Sequence, residues 1–286
     1  MTIPAPAQPR RLVYLGTPEM AVPPLRALVA AGFDVALVIT RPDQKRGRGS
    51  ALSPSPVKAA ALELGLAVTT TVDDGLEVGA DLGVVVAYGR IIKPHVLDVL
   101  PMVNLHFSLL PRWRGAAPVE RALLAGDELT GVCLMEVAEG LDTGGVYAVR
   151  EVPIGRSTTA DGLRAELVAA GTDLLVEELT RGLSAPTPQV GEATYAEKID
   201  PREYEIDWAQ PTARIDRLVR LGGAWTTFRG KRLKVWELAP PGAPGVSVPT
   251  GDGTVVLATV QPEGKPRLSA DAWANGARPT PEDFPR

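Results

Sequence analysis

Residues 82–106 read Leu-Gly-Val-Val-Val-Ala-Tyr-Gly-Arg-Ile-Ile-Lys-Pro-His-Val-Leu-Asp-Val-Leu-Pro-Met-Val-Asn-Leu-His. Leu82–Ala87 is a short, valine-rich apolar run, which predicts a strand buried on both faces. Tyr88-Gly89 interrupts it. Lys93–Leu100 carries Pro94 at its start and predicts a short helix. Val103–His106 predicts the next strand. Strand, helix, strand at this spacing is the repeating unit of a parallel sheet.

The same alternation extends in both directions. Leu12–Leu15 and Val35–Ile39 read as strands, Leu66–Thr69 as a third, with helices over Ala21–Ala31 and Pro56–Leu64 between them. Ala117–Ala125 and the long Thr159–Arg181 continue the helical pattern. The fold class is therefore α/β, with a Rossmann-like parallel sheet whose sites lie beyond the carboxyl ends of its strands. Leu15-Gly-Thr-Pro-Glu19 lacks the G-x-G-x-x-G spacing, so no dinucleotide cradle is expected. Ser184-Ala-Pro-Thr-Pro188 breaks the pattern. Beyond a helix at Thr212–Leu221, Ala224–Phe228, Lys231–Leu238 and Gly253–Val260 read as short strands, and Pro240–Pro249 as mostly turn. This is a small β-rich domain, a barrel. The division expected is a disordered tail at 1–10, a first domain at 11–183, a linker at 184–203 and a second domain at 204–286.

Composition narrows the class. The chain has 286 residues, 45% hydrophobic and 22% charged, with a net charge of −4. No global basic field advertises nucleic acid, so such a site must be a local patch. A single cysteine, Cys133 in Gly-Val-Cys-Leu-Met, excludes an internal disulfide and reads as a buried thiol. With two histidines, His95 and His106, an ordinary zinc site is not expected. Met1–Arg10 has three prolines and no apolar core, unlike a signal peptide. No stretch approaches the ~20 apolar residues of a membrane span.

Asn104 and His106, two apart in a strand, face the same way. Asp142 lies in the turn Glu139-Gly-Leu-Asp-Thr-Gly-Gly145. An amide, an imidazole and a carboxylate converging on one point can bind a developing oxyanion and move a proton. The plain alternative is that His106 caps a strand and Asp142 fixes a turn. Arg41, Lys45, Arg46 and Arg48, against the one acid Asp43, make a basic loop that suits an RNA end. Alone, such a run is more often a solvated loop. Arg229, Lys231, Arg232 and Lys234 cluster near Trp225, Phe228 and Trp236. That mixture suits nucleic acid, though each ring could equally be core.

Asn104-x-His106-x-Ser108-Leu-Leu-Pro111, with Asp142 downstream, resembles the signature of enzymes that use 10-formyltetrahydrofolate. The loop Thr40–Gly49, followed by Ser53-Pro-Ser-Pro-Val-Lys58, and Arg112-Trp-Arg-Gly-Ala-Ala-Pro118 make the chain similar to the methionyl-tRNA formyltransferases over about residues 11–235. The resemblance implies a formyltransferase domain followed by an OB-like barrel that binds tRNA. It implies formyl transfer from 10-formyltetrahydrofolate to initiator methionyl-tRNA, without a metal, by a cytoplasmic monomer with no DNA or membrane partner. Asn104 and protonated His106 are then oxyanion donors and Asp142 a proton acceptor that keeps the imidazole charged. Ser108, Leu109, Leu110 and Pro111, with Tyr88, Gly89 and Ile91, are the implied folate wall. The implied tRNA contacts are Arg41, Lys45, Arg46 and Arg48, with Arg229, Lys231, Arg232 and Lys234. Two rivals remain: a formyltransferase for a small amine such as an amino sugar or a glycinamide nucleotide, and a tRNA-binding protein without catalysis.

Overall fold

The computed structural model describes residues 3–45, 52–240 and 242–284. The chain divides into two compact units. The first comprises residues 1–118, 129–153 and 164–197. The second comprises 119–128, 154–163 and 198–286.

In the first unit the strands are β1 (Arg11–Gly16), β2 (Asp34–Ile39), the two-residue β3 (Gln44–Lys45) and β4 (Leu52–Ser53), and β5 (Val68–Thr69). They continue with β6 (Leu82–Val86), β7 (Met102–His106), β8 (Arg114–Gly115), β9 (Leu129–Glu136), β10 (Val146–Pro153) and β11 (Tyr195–Ala196). Seven of them form one sheet in the order β10-β9-β7-β6-β1-β2-β5. From β5 to β7 every pairing is parallel. The helices α1 (Val22–Ala30), α2 (Pro56–Glu63) and α3 (Pro94–Leu97) stand where the alternation put them.

Each face of β1 is buried. Val13 and Leu15 join Leu37, Ile39, Val85 and Leu97 in one apolar cluster, while Leu12 and Tyr14 lie fully buried on the other face. Burial on both faces is what an uninterrupted valine and leucine pattern encodes. Local chemistry sets the helix starts. Ser55 caps α2 by accepting from the Lys58 backbone N–H at 3.0 Å, and Pro56 fills the first turn.

The parallel expectation needs one correction. β9 and β10 add an antiparallel hairpin at one edge, with β9 antiparallel to β7. The connection 137–145 is too short for a parallel crossover, so the strands must reverse. The 22-residue helix α5 (Ala160–Arg181) covers this edge. At Gly171 a Cβ would sit 3.0 Å from Val132 and 3.6 Å from Leu105, which brings the helix close to β9 and β7. The segment read as a tail is held as well: the Leu183 N–H donates to Ala7 O at 2.9 Å.

The second unit holds α4 (Pro118–Ala125) from its second residue on and the first turn of α5. It continues with α6 (Thr212–Arg220), β12 (Trp225–Phe228), β13 (Lys231–Ala239), β14 (Val246–Pro249), β15 (Thr254–Pro262), β16 (Leu268–Ser269) and α7 (Ala270–Ala277). The strands make a five-stranded antiparallel sheet, β12-β13-β15-β14, with β16 on β15. Val246–Pro249 is a strand rather than the turn expected there, because β15 offers it a partner from Thr254 to Leu257. The core centres on fully buried Trp208, whose indole N–H donates to Thr226 Oγ1 at 2.9 Å. Burying a large ring with its polar edge satisfied is the favourable way to use tryptophan. No described helix is long and apolar enough to cross a membrane.

Candidate active site

β7 alternates inward and outward residues, which puts Asn104 and His106 on the same face, opposite Val103 and Leu105. Its neighbours fix the level of each residue: Asn104 lies beside Val85 of β6 and Met135 of β9, and His106 beside Cys133. His106 is buried. Its Nε2 lies 2.9 Å from Trp113 O, so that nitrogen carries a proton and donates it to the carbonyl. Its Nδ1 faces Asp142 Oδ2 at 3.6 Å, with 6% and 16% of the two side chains exposed. Both ring nitrogens thus face oxygen acceptors. The Asn104 side-chain amide is half-buried, and no hydrogen bond engages it among the described residues.

Asp142 reaches this point by an indirect path. The connection leaves β9 beside the start of β7, where the Val137 N–H donates to Met102 O at 2.9 Å. It then folds back, and Asp142 adopts a left-handed φ of 51°. Its Oδ2 accepts the Gly115 N–H at 2.8 Å. Gly144 is required here: a Cβ would stand 2.0 Å from Glu136 O. Gly115 is required too, with φ +117° and a Cβ position 2.9 Å from Ala196 O.

Sequence reasoning missed two contributors. Thr194 Oγ1 accepts the Trp113 N–H at 2.9 Å, and Gln189 Nε2 donates to Asp142 O and Gly144 O at 2.8 Å each. Both come from the stretch read as a linker. A polar residue in a turn-rich run carries no periodic signal, so nothing in the sequence marked them.

The expected folate wall is mixed. The Ser108 hydroxyl is committed to Arg112 O at 2.6 Å, and its carbonyl accepts from Cys133 Sγ at 3.1 Å. Burial pushes the Cys133 thiol up to about 11. Leu109 lies over Gly131, while Leu110 and Pro111 are half-buried. The Tyr88 ring belongs to the aliphatic core, 2% exposed, so only its backbone can serve a pocket. Gly89 is exposed and Ile91 is 88% exposed. The pairing of Val85 with Asn104 places this 87–91 segment past the carboxyl ends, alongside His106. An exposed isoleucine there suits a flat apolar ring system, and the Asn104 amide, unengaged among the described residues, offers it a polar contact.

Among the expected tRNA contacts, Arg46 and Arg48 lie outside the described residues. Arg41 donates to Gly89 O, and Lys45 is exposed. Asp43, the acid of that loop, is held by Lys58 Nζ at 2.8 and 2.9 Å. In the second unit the outward face of β13 carries Arg232, Lys234 and Trp236, against buried Leu233 and Val235. The Arg232 guanidinium lies 4.0 Å over the Trp225 ring, and Lys234 lies 5.4 Å and Arg267 3.3 Å over Trp236. These rings are surface platforms and not core. Lys231 is exposed. Arg229 is different: it grips both carboxylate oxygens of Asp283 and the carbonyls of Ala277 and Arg278.

Comparison with known proteins agrees with this layout. The formyl transferase family profile matches residues 10–179, and that of the formyl transferase C-terminal domain matches 198–278. A methionyl-tRNA formyltransferase of Symbiobacterium thermophilum is 41% identical, across 93% of this chain and 92% of its own. One of Jannaschia sp. is 43% identical, across 95% and 98%. The solved N-formyltransferase of Helicobacter canadensis, in complex with folinic acid and dTDP-3-aminofucose, superimposes with a TM-score of 0.67. It covers 88% of this chain and 99% of its own, and at 18% identity it speaks for the fold alone. With both halves matched, and relatives above 40% identity spanning nearly the whole length, the chain belongs to the formyl transferase family.

Proposed function

We propose that the protein transfers the formyl group of 10-formyltetrahydrofolate to the amino group of methionyl-tRNA, the modification that prepares the initiator for cytoplasmic protein synthesis. The observation that carries this reading is His106, set between Trp113 O and Asp142 with the Asn104 amide on the same strand face. The folate supplies an activated formyl group. Negative charge develops on the formyl oxygen as the amine attacks, and the Asn104 amide and His106 Nδ1–H are the donors that stabilise it. Asp142 takes the proton that the attacking amine must lose, directly or through a water, and as the adduct collapses the bond from the formyl carbon to N10 breaks and tetrahydrofolate departs with a proton on N10. The buried setting of His106 strengthens these interactions relative to water.

The acceptor follows from the second unit. Cations stacked on tryptophans along one sheet face can meet phosphates and unpaired bases together. A small amine needs no such surface. The basic loop, with Arg46 and Arg48, is the proposed grip on the acceptor end. The test is a transfer assay with 10-formyltetrahydrofolate, comparing methionyl-tRNA with a sugar-nucleotide amine. Formylation of the charged tRNA alone supports the reading. Preference for the sugar amine transfers the site to the small-amine class, and tRNA binding without transfer reduces the protein to a binding module.

A further inference from the structure

We propose that Gln189, held by Arg114, is the positioning residue that keeps the Asp142 turn folded back against His106. The inference rests on the site reading above and adds a residue to it. Gln189 Nε2 donates to Asp142 O and to Gly144 O, both at 2.8 Å. Its Oε1 accepts from Arg114 Nε at 3.1 Å and Nη2 at 2.7 Å. Both amide hydrogens and both oxygen lone pairs are used. The amide therefore has one orientation, because its reverse sets NH₂ against a guanidinium and oxygen against two carbonyls.

The links converge on one purpose. Arg114 directly follows Trp113, whose carbonyl receives the His106 proton, and precedes Gly115, whose N–H holds the Asp142 carboxylate. Gln189 thus ties the segment that orients the imidazole to the backbone of the carboxylate opposite. The turn needs such a tie. It leaves the sheet beside Met102, returns to His106, and carries a left-handed residue at Asp142. The Val146–Thr187 bridge, with two bonds of 2.8 Å, brings the segment carrying Gln189 alongside the turn's exit. A glutamate here keeps the acceptor for Arg114 but has no hydrogen for the two carbonyls. That difference separates positioning of the turn from packing or from a simple partner for Arg114.

The experiment compares Gln189→Glu and Gln189→Leu with wild type, alone and in an Asp142→Asn background. It measures kcat and KM for both substrates together with thermal melting. The expected result is a kcat lowered roughly 10- to 100-fold in both variants, as slight misplacement of reacting groups does. Each KM stays within about twofold and the melt stays cooperative. In the Asp142→Asn background the further loss disappears, since the brace acts through that carboxylate. Wild-type turnover in Gln189→Glu overturns the proposal, and so does a full multiplicative loss on top of Asp142→Asn. Should Gln189→Leu fail to fold, the near-isosteric Glu variant decides. A Glu variant without a cooperative melt makes Gln189 a fold determinant and overturns the positioning role. Should Asp142→Asn itself retain turnover, the reading of the site falls and the brace with it. An inactive Asp142→Asn beside an active Gln189→Glu removes the brace alone.

Discussion

His106 gives one ring nitrogen to a backbone carbonyl and turns the other to a carboxylate. The carbonyl fixes the ring's rotation, which aims the second nitrogen at the Asp142 carboxylate. Asn104 adds a donor that nothing else engages among the described residues. We expect Asn104→Ala, His106→Ala and Asp142→Ala each to lower turnover roughly a hundredfold or more while the protein stays folded. Their losses should combine to less than their product, since the three act on one charge. Near-normal kcat in the Asp142 variant removes that residue from the proton path. Cys133 shows the opposite use of burial. Its thiol sits at about 11 because desolvation disfavours the thiolate. At pH 8 only about one molecule in a thousand then carries thiolate. A disulfide reagent should find no thiol in the native protein and one after denaturation. Rapid labelling of the native protein contradicts a sealed β7–β9 interface.

The geometry of the proposed site belongs to elements as much as to residues. Pro, Ser and Gly punctuation and the buried valine runs made β1, β2, β6, β7 and the helices between them legible in sequence. So were Asn104 and His106, because a period of two in a strand is a strong rule. The β9–β10 hairpin was not, although Leu129–Glu136 is apolar. Its reversal depends on the pairing with β7, which no local pattern states. The two-residue ladder of β8 with β11, which brings Thr194 to the site, and the lone Val146–Thr187 bridge, which brings Gln189, were equally invisible: one or two paired residues carry no periodicity. Gly144 makes the element-level argument testable. Its missing Cβ leaves room for Glu136 O, and the Glu136 N–H donates to Gly145 O at 2.8 Å across the same neck. Gly144→Ala must displace backbone, so we expect about 1–3 kcal/mol of destabilisation and a lower kcat through the displaced Asp142. Gly276→Ala in α7 meets nothing within 4 Å and should be neutral or slightly stabilising. Equal melting temperatures for the two variants count against a tight neck at Gly144.

For the whole molecule, a net charge of −4 and a polyanionic substrate require that positive charge be concentrated locally. From Pro201 onward the chain has 12 Lys/Arg against 10 Asp/Glu, a small excess that composition alone cannot localise. The interleaved units were also beyond sequence reading, since residues 119–128 and 154–163 join the second unit through neighbours distant in the chain. The sheet decides which cations are available. Arg232, Lys234 and Arg267 are stacked on tryptophans of one face, and stacking leaves their charge facing outward. The basic cluster read from sequence had counted Arg229 among them. Its guanidinium instead holds Asp283, lowering that carboxyl to about 2 through the hydrogen bonds it donates. A depressed carboxylate contributes stability above its ordinary value near 4 and loses it as pH falls toward 2. Arg229→Ala should therefore return the Asp283 titration toward the ordinary range, as read by NMR, lower stability at neutral pH and flatten its fall on the acid side. Its effect on tRNA should be small. Arg232→Ala, Lys234→Ala and Arg267→Ala should each raise KM for methionyl-tRNA and leave folate KM unchanged, with little change in kcat. Removing one cation that pairs with a phosphate should flatten the salt dependence of tRNA binding by about one unit of log–log slope. A salt slope that Arg232→Ala leaves intact but Arg229→Ala flattens would put the tRNA on the other face of this sheet, against the placement of its tryptophans.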